Sequence, residues 1–228
     1  MKLKYVKQDV SDSSEVIHLK LWDGSVFDYS LNGLSASASG TNIAPSYPGY
    51  SFNGLDDFID LGSAFQSTFR ASWSISVWVK LDDGQGANQM ICGTSNLATD
   101  DRLRIRAIDD GTVVFFFESD GVLVSLTSSG TVFANGETPW THIVMTAVAD
   151  TSINGYANGE SQGTGDATAL TFADWTSADN IYLGAMNVNS VAGQFVSGNV
   201  SDFRMYNKTL GVDEIKNIYN QTRWRYGV

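Results

Sequence analysis

The side chains in this sequence that could do chemistry fall into a few sets, and each implies a different chemistry. Glycoside cleavage needs two carboxylates about 5–5.5 Å apart, which a strand can supply as Glu-x-Asp-x-Glu because its period of two aims all three at one face. Only Glu118-Ser119-Asp120 begins that pattern, and with Gly121-Val122 next it reads as a turn. Gly-x-Ser-x-Gly, His-Glu-x-x-His and a phosphate-binding loop are all absent from the sequence, so no enzyme is expected. A saccharide site without catalysis needs an exposed aromatic ring with amides or carboxylates beside it. Trp175, in FADWTSADN, and Asn187, Asn189 and Gln194, in the loop MNVNSVAGQ, fit that description. Trp175 fits better still a ring that caps the end of a sandwich.

Two further sets carry charge. Arg102, Arg104 and Arg106 alternate with Leu103, Ile105 and Ala107, placing three guanidinium groups in a row on one face of a strand. Such a row suits an anionic sugar or a neighbouring acidic surface, or a solvated face balanced by Asp100, Asp101, Asp109 and Asp110. At the C-terminus, Arg223, Trp224 and Tyr226 are residue types that dominate interface hot spots. Rings that large favour burial, so the tail is expected to dock, on a second copy, on a different partner or on its own domain. His18 stands alone and reads as a surface or hydrogen-bonded core residue. Cys92, the single cysteine, excludes an intramolecular disulfide and reads as a buried, inert thiol.

Composition limits what can position these groups. A net charge of −11 argues against a nucleic-acid partner. The acids are 20 Asp against 5 Glu, mostly beside Gly, Asn or Ser, which is turn chemistry rather than helix chemistry. The N-terminus lacks the apolar run of a Sec-type signal, and no stretch reaches a membrane span, so neither membrane insertion nor Sec export is expected.

Alternation then gives the elements. Trp73, Ile75, Val77, Val79 and Leu81 alternate with Ser74, Ser76, Trp78 and Lys80, the pattern of a half-buried strand. The run Thr112–Phe117 reads as a strand covered on both faces, with Phe115 to Phe117 in the core. Residues 16–22 read as the first strand, residues 30–49 as a long irregular connection, and Asn158-Gly159 as a hairpin turn. Regular turn signals predict an all-β sandwich or barrel. Leu210, Ile215, Ile218 and Tyr219 recur at helical spacing behind Asp213 and Glu214, giving one short C-terminal helix. A single domain is expected over 1–228, with 1–15 as an N-terminal arm and 223–228 as a tail.

The blocks YSFNGLDDFIDLG, SISVWVK, RLRIRAIDDGTVVFF, PWTHIVM, YANGE, IYLGA and FVSGNVSDFRMYNKTLGVDEIKNIYN occur in this order and resemble the laminin-G-like domains of the concanavalin A-like lectin/glucanase superfamily. The resemblance implies a jelly-roll of two antiparallel sheets and a glycan-binding or attachment module. It also implies a structural calcium near Asp56, Asp57 and Asp202, although Ser201 stands where the family usually has another Asp. The ending IYNQTRWRYGV is similar to laminin-G-like modules of tailed-phage virion proteins. That implies a virion or extracellular surface setting, with glycan or protein subunits of a particle as partners and Arg223, Trp224 and Tyr226 at an interface.

Overall fold

The computed structural model describes residues 12–228, so most of the expected N-terminal arm lies outside the described residues. Among these residues the chain forms two sheets face to face, with the hydrophobic core between them. The eight-stranded sheet runs β13 (Glu160–Asp166), β12 (Ser152–Ala157), β11 (Thr141–Val148), β6 (Trp73–Leu81), β17 (Ser197–Tyr206), β4 (Gly49–Asn53) and β3 (Ala44–Ser46), with β1 (Glu15–Leu19) also paired to β17. Glu15 therefore belongs to a strand rather than to an arm.

The nine-stranded sheet runs β10 (Val122–Thr127), β9 (Val113–Ser119), β8 (Asp101–Ala107), β7 (Gln89–Asn96), β14 (Tyr182–Leu183), β5 (Phe58–Asp60) and β2 (Ser37–Ser39). A hairpin of β15 (Met186–Val188) and β16 (Val191–Gly193) joins it through β7, in parallel pairing. All the other pairings are antiparallel, which makes the fold the expected all-β jelly-roll sandwich.

The alternation in β6 places Trp73, Ile75, Val77, Val79 and Leu81 fully inside the core. Its other face is buried as well, which the serines there concealed. Helix α2 (Val212–Thr222) and the segment before it cover that face. The Ser74 hydroxyl donates to the Lys208 carbonyl at 2.9 Å, Ser76 bonds the His142 ring at 2.8 Å, and the Trp78 indole donates to Thr222 at 3.0 Å. Small hydroxyl residues let the helix approach closely, and their buried polar atoms find partners in what covers them.

In β9 the expected triple-Phe core resolves into alternation: Phe115 and Phe117 are fully buried, while Phe116 is half-buried on the opposite face. Gly155 makes room for the first, since a Cβ there would lie 2.3 Å from the Phe115 ring. Asn158 and Gly159, at φ 51° and 82°, form the expected β12–β13 turn. The 30–49 connection carries β2 and β3, two short edge strands with no apolar alternation to announce them.

Phe115→Ala is expected to cost about 3–5 kcal/mol, because transfer and cavity terms add. Phe116→Ala should cost about 1–2 kcal/mol, since only part of that ring leaves water on folding. Urea unfolding of the two variants distinguishes them, and equal costs would contradict the assigned strand phase.

Candidate ligand-binding site

The buried acid Asp202 organises one side of the eight-stranded sheet. It sits at an irregularity of β17, with φ at 44°, where the pairing to β6 skips between Ser201 and Arg204. Its carboxylate accepts from Arg204 through two nitrogens at 2.8 and 3.2 Å, from Arg225 at 3.4 Å, and bonds His18 Nε2 at 3.0 Å. Glu15 lies 3.6 Å from His18 Nδ1 and 3.5 Å from Arg204. Burial alone would raise the Asp202 carboxyl, but Arg204 and then His18 more than offset it and hold it well below the usual carboxylate range. Burial would likewise lower His18, yet the Asp202 and Glu15 carboxylates raise it above its ordinary value. His18 is thus the hydrogen-bonded buried histidine of the two alternatives read from the sequence.

This cluster tethers both ends of the described chain. Behind β1, Asp28 accepts from the His18 backbone N–H at 2.9 Å and from Ser30 and Leu34 at 2.8 and 2.7 Å, which fixes the turn between them. At the other end, Tyr226 stacks on Trp78 with ring centroids 4.2 Å apart and lies 4.9 Å from Trp140, while its hydroxyl donates to Ser201 at 2.9 Å. Burial raises the Tyr226 hydroxyl, so it stays protonated and able to donate. Ser201 thus takes the phenol of the tail.

Between the two tethers an aromatic strip lies at the surface. Phe27 meets Tyr29 edge to face at 5.2 Å, and the Lys20 ammonium lies 4.1 Å from the Tyr29 ring centre and 5.6 Å from that of Trp22. The Arg225 guanidinium lies 4.1 Å from Trp22 and 5.3 Å from Trp224. Rings and cations therefore alternate from Tyr29 to Trp224, each pair within cation–π range. The two ends are open, with Phe27 63% and Trp224 68% exposed. The Tyr29 hydroxyl donates to Asp23, and Ser25 bonds the same carboxylate at 2.9 Å. An apolar ring surface beside hydroxyl and carboxylate groups is the chemistry that holds a sugar ring.

The residues singled out from the sequence fall differently. Trp175 is buried, stacked 5.0 Å from Phe117 and 4.9 Å from Phe69, so it caps the sandwich end and offers no platform. Asn187 is buried too; it donates to the Asn180 carbonyl at 2.6 Å and accepts from Ser190 at 2.8 Å, bracing the β15–β16 hairpin. Asn189 is exposed, and its amide oxygen accepts from the Leu97 backbone at 3.1 Å. Gln194 is exposed and lines a cleft beside Arg104.

Asp56, Asp57 and Asp202 do not converge. Asp57 accepts the backbone N–H groups of Asn42 and Asn53 at 3.0 and 2.9 Å, Asp56 accepts from Asn53 at 2.7 Å, and Asp202 is filled by the cations named above. Among the described residues no three His, Cys, Asp or Glu side chains form a metal-binding group. Of the three tail residues singled out, Tyr226 is turned into its own domain and Arg223 and Trp224 are exposed. Asp120 falls in a turn at φ 49°, directly after the strand that holds Glu118.

Two antiparallel sheets around one core, with a short helix across one of them, define a concanavalin A-like sandwich. The chain belongs to the Laminin_G_3 family of the Concanavalin A-like lectin/glucanases superfamily, whose family model matches residues 53–216. No curated protein sequence matches the chain. Among solved structures, it is similar to the receptor binding domain of botulinum neurotoxin C/D mosaic serotype, with a TM-score of 0.72 and 14% identity over 91% of this chain and 51% of that one. The binding domain of botulinum neurotoxin serotype G gives a TM-score of 0.70 at 14% identity, with the same coverages. A structure reported with cell entry of botulinum neurotoxin type C, dependent upon interaction with two ganglioside molecules, gives 0.67 at 14% identity, over 91% of this chain and 51% of that one. At that identity the likeness is one of fold, and the chain spans about half the length of these structures.

The two histidines of the sequence should titrate in opposite senses. His142, buried against Trp78 at 5.1 Å, is pushed down by burial from 6.5 to about 3. Its folded form refuses a proton that the unfolded chain accepts below 6.5, so it removes stability as pH falls through that window. His18 has a raised folded value, so its contribution is fully present below 6.5 and is lost as pH rises through the raised value. Imidazole NMR should show one signal titrating above 6.5 and one unchanged down to about pH 4. The first should vanish in His18→Gln, and two ordinary titrations would contradict the assignment.

Proposed function

We propose that this chain is a non-catalytic recognition module that holds a saccharide against the Phe27–Tyr29–Trp22–Trp224 strip. The observation that carries this reading is the exposed, cation-spaced row of rings beside the Asp23, Ser25 and Tyr29 hydrogen-bonding groups. Membership of a lectin-type superfamily supports it. So does the likeness in fold to the receptor binding domain of botulinum neurotoxin C/D mosaic serotype, and to a structure of type C neurotoxin, whose cell entry is reported as dependent upon interaction with two ganglioside molecules. The pairing of Glu118 with Arg102 at 2.9 Å and the place of Asp120 in the turn after β9 support a module without catalysis. In this reading the domain serves attachment, at a virion or other extracellular surface.

A second reading rests on Trp224 alone. An indole 68% exposed on a docked tail, next to exposed Arg223, is the kind of anchor a neighbouring subunit would bury, whether a second copy or a protein of a phage particle.

Phe27→Ala and Trp224→Ala, both at exposed positions, are expected to leave the melting temperature near that of the parent. On a glycan array they should weaken binding by about two- to tenfold each, the worth of one stacked ring. Unchanged array binding by both variants would overturn the strip as the site. An array silent for the parent chain, with a large oligomer in light scattering that Trp224→Ala dissociates, would establish the assembly reading instead.

A further inference from the structure

The other sheet carries a separate cluster that the strip does not use. Helix α2 covers the outer face of the eight-stranded sheet, whereas the outer face of the nine-stranded sheet holds the arginine row. Arg102 lies 2.9 Å from both Asp100 and Glu118, which neutralise it. Among the described residues, Arg104 and Arg106 have no carboxylate within ion-pair distance, in a chain with 25 acids against 14 Lys and Arg. The Nε–H groups of all three arginines are buried without a hydrogen-bond partner. Arg104 packs its guanidinium 4.9 Å from the centre of the half-buried Phe116 ring, which orients the side chain and shields one of its faces. Like charges two residues apart on a strand repel, so the chain tolerates an uncompensated pair, Arg104 and Arg106, here.

Beside Arg104 lies a cleft of about 280 Å³, walled by Met186, Val188, Val191 and Ala192 of the hairpin and by Gln194. Gly93, paired with Arg104 across β7 and β8, makes room for one wall of the cleft: a Cβ there would lie 2.7 Å from the Met186 sulfur. Asn187 braces the hairpin from beneath, and the Met90 backbone N–H donates to the Gln194 carbonyl at 2.8 Å. The walls are therefore held in place without a ligand.

We propose that this cleft is a second binding site, for the carboxylate of an acidic saccharide, with Arg104 as its anchor. The volume suits one sugar ring, at the small end of ligand pockets. The apolar hairpin wall suits the C–H face of that ring, and the Gln194 amide can reach a hydroxyl. A guanidinium with no carboxylate of the described residues within ion-pair distance can pair with a ligand carboxylate through two parallel N–H bonds, and Arg106 adds to the attracting field. Burial, and then Arg102 and Arg106, depress Arg104, so an arriving anion relieves a repulsion already present. A flat acidic protein surface would meet Arg104 and Arg106 but would not fill the cleft, which is why a sugar is the occupant assigned.

The test is isothermal titration of the full chain at low salt with four probes: the methyl glycosides of glucuronic acid and of N-acetylneuraminic acid, methyl glucoside and sodium acetate. At least one acidic glycoside should bind more tightly than both the neutral sugar and the free carboxylate. Its affinity should drop about tenfold in Arg104→Gln, the loss of one charge-assisted pair, and fall with added salt. Lys216→Gln, on helix α2 across the other sheet, removes the same charge away from the cleft and should bind close to the parent. Circular dichroism melts show whether Arg104→Gln is folded, and Gln194→Ala, at an exposed position, should also weaken binding. Silence toward both acidic glycosides, equal binding of acetate, or undiminished binding by folded Arg104→Gln would each overturn the site. None of these outcomes touches the aromatic strip, which lies on the other sheet.

Discussion

A single buried carboxylate, Asp202, sets how the two ends of this domain meet. Removed from water, it is stable only because Arg204, His18 and Arg225 converge on it, and each comes from a different place: β17 itself, the first strand and the tail. Isolated burial of any one of these charges would be costly, and the mutual arrangement is what makes it tolerable. The result is a junction that fixes β1, the following turn and the last residues relative to one another. Lys20 and Trp22 leave the junction on one side and Arg225 and Trp224 on the other, so the alternation of rings and cations is a consequence of how the charges are paired.

The two sheets divide the work of stability differently. The inner strands of the eight-stranded sheet are buried on both faces, by the core on one side and by the helix and tail on the other, where Trp78, Trp140, Tyr219 and Tyr226 form a satellite cluster. The nine-stranded sheet packs one face on the core and leaves arginines, a half-buried Phe and the hairpin cleft on the other. Groups that fold stability does not require are therefore concentrated on the open sheet and along the strip at the chain ends.

Much of the fold was legible in the sequence because period-two alternation survives wherever one strand face meets the core, as in β6 and β8. The β12–β13 turn was legible because Asn-Gly tolerates positive φ, and α2 because its acids precede apolar residues at helical spacing. The errors have physical causes. Phe115 to Phe117 looked uniformly buried because an aromatic on the outer face can be half-covered by an arginine stem, which hydropathy does not separate from core. Trp175 looked like a platform because a polar local sequence says nothing about the rings of Phe69 and Phe117 that meet it from distant strands. The strip was missed because its pattern is inverted: in Phe27-Asp28-Tyr29 the acid points inward to cap backbone N–H groups and the rings point outward. The pairing of Asp202 with His18, 184 positions away, is a long-range electrostatic fact that no local motif encodes.

The central claim is that Asp202 holds the two ends together, and hydrogen exchange by mass spectrometry on Asp202→Asn tests it most directly. The substitution keeps the shape and removes the charge, leaving Arg204 buried without its counter-ion, so a loss of about 3–5 kcal/mol is expected. Exchange should rise together in residues 15–22 and 222–228, while β8 and β9 of the opposite sheet keep their protection. Faster exchange confined to β17, or no coupled change at the two ends, would contradict the account.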